Sequence, residues 1–72
     1  MKTQTHIYSI FGQIEEAVAS AMIADGSCSR IEAWDIPASA LYNDAGQRAK
    51  FAIVMPAALV GTFERRIWDL RQ

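Results

Sequence analysis

The run Ala49-Lys-Phe-Ala-Ile-Val-Met55 constrains this chain more than any other stretch. It carries no charge after Lys50 and is stopped by Pro56. A short apolar run of this kind reads as a strand covered on both faces, and therefore as the centre of a sheet. Phe51, Ile53 and Met55 would face one side and Ala52 and Val54 the other, because side chains alternate along a strand. With 72 residues in all, a chain buries only about 60% of its unfolded surface. One domain, residues 1–72, is expected, with every other element packed against this strand.

Gln4 to Phe11 alternates Thr5, Ile7, Ser9 and Phe11 with His6, Tyr8 and Ile10, and its β-branched and aromatic residues favour a strand ended by Gly12. Both faces carry something large, which suggests helices on one side and another molecule on the other. Gln13 to Ala24 reads as a helix with an apolar stripe of Ile14, Ala17, Val18, Ala21 and Met22. Glu15 and Glu16 in its first turn offset the helix dipole, and Gly26 suits the left-handed position after its end.

Cys28 to Ile36 returns to strand, with Arg30, Glu32, Trp34 and Ile36 on one face, and Pro37 marks an edge, a bulge or its end. The favoured continuation is a hairpin through Ala38 to Tyr42 that turns at Asn43-Asp44-Ala45-Gly46. The alternative is one helical turn opened by Pro37 and running to Leu41. After the central strand, Pro56 fits the first turn of a helix whose stripe is Val60, Phe63, Ile67 and Leu70. Gly61 would cost that helix about 1 kcal/mol, so a start at Thr62 is the other option.

The order is β-α-β-β-α, an α+β chain. A β-α-β unit crosses over to a parallel strand. The apolar central strand then lies between the other two and antiparallel to both. This arrangement resembles the split β-α-β core of ferredoxin-like folds with the fourth strand missing: a three-stranded antiparallel-type sheet with two helices on one face. It would leave Gln4 to Phe11 with a bare edge, open to pairing with another chain and so to a homodimer through the first strand, which as an alternative function would bind a small ligand or act as a regulatory module.

The formal charge is −1, but the signs are unevenly placed. Between Gln13 and Asp44 stand Glu15, Glu16, Asp25, Glu32, Asp35 and Asp44, opposed only by Arg30. From Ala45 onward Arg48, Lys50, Arg65, Arg66 and Arg71 outnumber Glu64 and Asp69. The chain lacks the basic excess of a nucleic-acid binder, so direct nucleic-acid contact is not expected. The lone Cys28 makes no internal disulfide, and no run approaches the ~20 apolar residues of a membrane span. A cytoplasmic protein without a membrane partner is the expectation.

No motif names a reaction. His6 is the one histidine and has no Cys, His or carboxylate at ligand spacing, so neither a metal nor a cofactor is expected. Cys28 lacks a neighbouring base, and the serines stand in no nucleophile-elbow context. Glu15 and Glu16 are adjacent on a helix and diverge. A catalytic role is therefore not assigned to any residue, and the chain is expected not to be an enzyme. The aromatic residues carry more weight. Trp34, Trp68 and Tyr42 either pack at the rim of the core or mark a binding surface, for Trp and Arg are enriched in hot spots.

The compact βαββα order and the acid-biased stretch from Glu15 to Asp44 together resemble the small anti-CRISPR proteins encoded by phages and mobile elements. That resemblance implies an inhibitor that binds a CRISPR effector subunit, frequently where the subunit would contact DNA. The resemblance itself assigns no residues; from the placement of charge, Glu15, Glu16, Asp25, Glu32, Asp35 and Asp44 would bind the partner by occupying a Lys/Arg surface meant for phosphate, with Trp34 as the aromatic contact among them. The basic last helix, with Arg65, Arg66 and Arg71, departs from what a pure DNA mimic needs.

Overall fold

The computed structural model describes residues 4–72. Strand β1 (Thr5–Ile10) leads into helix α1 (Gln13–Ala24), strand β2 (Ser29–Glu32), a short helix α2 (Ala38–Leu41), strand β3 (Phe51–Pro56) and helix α3 (Val60–Arg71). The sheet order is β1-β3-β2, with β3 antiparallel to both neighbours. This is the α+β arrangement that the apolar run anticipated, a truncated ferredoxin-like core with β1 and β2 as its two edges.

The main core lies between the sheet and the helices α1 and α3. Ile10, Phe51, Ile53 and Met55 from the sheet meet Val18, Ala19 and Met22 of α1 and Phe63 and Ile67 of α3. Burying each large side chain stabilises the fold by roughly 1.5–3 kcal/mol. The face of α1 differs from the expected stripe. Ala17 and Ala21 are exposed, while Ala19 is fully buried and Ile23 half-buried, so the helix is rotated by about one position. Ala19 brings its backbone close to the sheet, which a larger residue at that place would prevent. Its end follows expectation: Gly26 has φ +85°, Gly26 N–H donates to Ile23 O, and Ser27 N–H donates to Met22 O.

The region from 33 to 50 corrects the expected hairpin. Strand β2 stops at Glu32, and a single 3-10 turn (Ala33–Asp35) follows. Residues 38–41 form α2, as the alternative had it. Ala-Ser-Ala-Leu contains no β-branched residue to favour a strand, and Pro37 at φ −56° sits naturally before a helical turn. The turn itself is where the sequence put it. Gly46 has φ +79°, and Asn43 Oδ1 accepts from the backbone of Ala45 and Gln47 at 3.0 and 2.9 Å. Only one bridge, Tyr42 to Arg48, survives of the expected strand pairing.

This connection forms a second, smaller core under the sheet, with Ile36, Ala49 and Ala52 buried and Phe11, Ile31, Ala40 and Leu41 packed around them. Ser9 Oγ donates to Ala40 O at 2.6 Å and ties it to β1. Among the described residues this cover reaches one end of the sheet, and Thr5 and Ile7 at the other end are exposed.

Pro56 closes β3 instead of opening a helix, and a 3-10 turn (Ala57–Leu59) comes between. Helix α3 then runs unbroken through Gly61, which sits in its first turn, where no intrahelical N–H bond is at stake. Leu70, expected in the apolar stripe, is exposed in the last turn.

Candidate protein-interaction surfaces

Topology collects six of the seven expected partner-binding residues at one end of the sheet. β1 ends there and α1 begins, which places Glu15 and Glu16; β2 ends there, which places Glu32, Trp34 and Asp35; the loop carrying Asp44 enters β3 there. Asp25 is the exception. It caps the far end of α1, about 15 Å along a twelve-residue helix from Glu15.

Folding also cancels much of the acidic bias. Glu15 pairs with Arg71, Glu16 with Lys50 at 3.0 Å, and Glu32 with Arg30 at 2.7 Å. The first two pairs join the acid-rich half of the chain to the basic half, so the basic last helix has an internal use. Arg30 lies 4.2 Å from the centroid of the Phe51 ring as well, which fixes its guanidinium over the core. Exposed pairs of this kind contribute little stability, at most about 1 kcal/mol each, but they remove charge from the surface. Asp25 accepts from Ser27 N–H at 2.8 Å, and Ser27, first through its hydroxyl and then through that N–H, holds the Asp25 carboxyl below the ordinary range. Asp35 and Asp44 make no ion pair among the described residues.

The indoles are not rim packing. Trp34 is 76% exposed and Trp68 64%, and Tyr42 is 56% exposed. Trp34 and Tyr42 belong to the end where Asp35 and Asp44 lie. Trp34 no longer shares a strand face with Arg30 and Glu32, because the 3-10 turn redirects it.

A second surface lies along the open edge of β1, on the far side of the sheet from Trp34. Tyr8, Glu64, Ile67, Trp68 and Arg71 line an open cavity of about 160 Å³ between this edge and α3. Tyr8 packs edge-on against buried Phe63, with centroids 4.7 Å apart. Its half-buried phenol ionises less readily than usual, first because of burial and then because the Glu64 and Glu15 carboxylates oppose a phenolate, with Arg71 acting the other way. Sequence reading singled out Trp68 but not the groove. The available signal was the spacing of Glu64, Trp68 and Arg71 at i, i+4 and i+7, one helix face beside the buried stripe.

Cys28 is buried, and burial raises its thiol pKa, which makes it a poor nucleophile. Among the described residues no three His, Cys, Asp or Glu side chains gather as a metal would require, and no helix is long and apolar enough to cross a membrane. No protein-family model, no curated protein and no solved structure matches this chain.

Proposed function

We propose that this chain is a small non-enzymatic inhibitor that docks on a larger nucleic-acid-handling complex, in the manner of anti-CRISPR proteins. The observation that supports this reading is Trp34, an indole 76% exposed beside Asp35. An exposed indole is a large apolar surface with a polar handle, the side chain most enriched at binding hot spots. Tyr42 and Asp44 at the same end extend the surface. Asp35 and Asp44 then meet the Lys and Arg side chains of a site that otherwise holds phosphate. Glu15, Glu16 and Glu32, already neutralised within the chain, add little. The contact is aromatic first and electrostatic second.

The test is affinity capture of the tagged chain from a bacterial lysate with an active CRISPR system, followed by competition with DNA on the recovered complex. Stoichiometric recovery of an effector subunit, loss of its DNA binding, and a drop of about tenfold or more for Trp34→Ala would agree with the proposal. Failure to displace DNA would refute the inhibitor reading. Full recovery with Trp34→Ala would refute the docking surface.

A further inference from the structure

We propose that the open edge of β1 is a self-association surface, through which two copies join antiparallel into one six-stranded sheet. The backbone sets the terms. Ala57 N–H donates to Gln4 O at 2.9 Å, and β1 pairs with β3 in the register Thr5–Pro56 through Ile10–Phe51. In an antiparallel ladder the bonding groups alternate sides. The even-numbered residues of β1 therefore turn theirs toward β3, and Thr5, Ile7 and Ser9 turn theirs out of the sheet.

Among the described residues, this edge carries none of the features that discourage a partner. Thr5 to Ile10 contains no charge and no proline, and its register with β3 is unbroken from Thr5 to Ile10. Charges, prolines and bulges are the usual devices that keep an edge single. Ile7 is 40% exposed on one face of the strand, and Tyr8 borders the groove on the other.

The groove supplies the argument for a second copy rather than an unrelated strand. Glu64 and Arg71 stand two helical turns apart on the face that lines it, with Trp68 between them. Helix α3 and strand β1 both run antiparallel to β3 or return from it, so α3 follows the direction of β1. An antiparallel copy of β1 thus brings an antiparallel copy of α3. Reversal sets Glu64 of each chain toward Arg71 of the other, so the surface is complementary to itself, as a two-fold interface must be. The dyad passes through Ile7, where the outward groups match: Thr5 pairs with Ser9, Ile7 with Ile7, and about six backbone hydrogen bonds form. His6 then lies opposite Tyr8 on the helix face.

Sedimentation equilibrium tests this directly. At about 100 μM the unmodified chain is expected at twice the 8.0 kDa of one chain. Ile7→Pro removes an N–H that points away from β3 and should give 8.0 kDa at the same concentration with the far-UV spectrum unchanged. Glu64→Arg and Arg71→Glu should each weaken association about tenfold, and the double reversal should restore it. That rescue does not depend on how well Ile7→Pro folds, nor can the Arg71–Glu15 pair supply it, since the double variant has lost that pair. A unmodified chain that remains at 8.0 kDa overturns the proposal. So does a dimer that folded Ile7→Pro leaves intact, or a double reversal that is weaker than either single change.

Discussion

The two edges of the sheet differ in length and in charge, two of the properties that govern whether a strand stays alone. β2 is four residues long, is cut off by a 3-10 turn, and turns the charged pair Arg30–Glu32 to the helix side. β1 is six residues long, uncharged, and bordered by a groove with Trp68 on its rim. Both pair with the same central strand, so the difference is not in how they are held. It lies in what each offers beyond the sheet. A charged, short edge resists a partner, and a longer, uncharged one accepts it. Trp34 follows the resistant edge and Tyr8 lies on the accepting one, which separates the proposed inhibitor surface from the proposed dimer surface. A dimer through β1 would carry its two Trp34 side chains at opposite ends and could engage two sites at once.

The largest way to break this contrast is to remove what supports β1. Phe63 is fully buried and packs on Tyr8. Phe63→Ala should cost about 3–5 kcal/mol in denaturant unfolding, much of the stability of a domain this small. A loss under about 1 kcal/mol would mean that α3 does not hold β1 as described.

A milder change would sharpen the contrast. Replacing Arg30 and Glu32 together by Thr leaves β2 in place but uncharged. It should raise association above the dimer at high concentration, by about tenfold in the higher species seen by sedimentation. No change would show that the charges of β2 are not what keeps it single.

The smallest effect is on pH. Tyr8 has a pKa raised above its ordinary 10.0, chiefly by burial. A group whose folded value is raised adds stability that is complete below its unfolded value and lost as pH rises through the folded one. Stability should therefore fall above pH 10.0, and Tyr8→Phe should lose less over that range in thermal melts. Phenolate at position 8 would also charge the β1 edge and make it resemble β2.

Most of the fold was legible because it rests on local patterns. The run from Phe51 to Met55 is continuously apolar, as a central strand covered on both faces must be, Gln13 to Ala24 keeps its bounds, and Gly26 and Gly46 stand where positive φ is needed. The segment after Glu32 was less legible because two local preferences compete there. Alternation continues through Trp34 and Ile36, yet burying Ile36 under Ala52 requires the chain to leave the sheet. The acidic surface illustrates the same limit in charge. Glu15 and Arg71 lie 56 residues apart, and only the antiparallel packing of α1 and α3 brings them together. Exposure of Trp34 and Trp68 was likewise a matter of tertiary placement, since an indole in sequence fits a core rim as well as an interface.

Backbone amide exchange tests the central claim most directly. The N–H groups of Thr5, Ile7 and Ser9 and those of Arg30 and Glu32 all point out of the sheet, so both sets should exchange fast in a lone chain. The β1 edge predicts that the first set becomes protected as concentration rises while the second stays fast. Equal exchange of both sets at every concentration would contradict it.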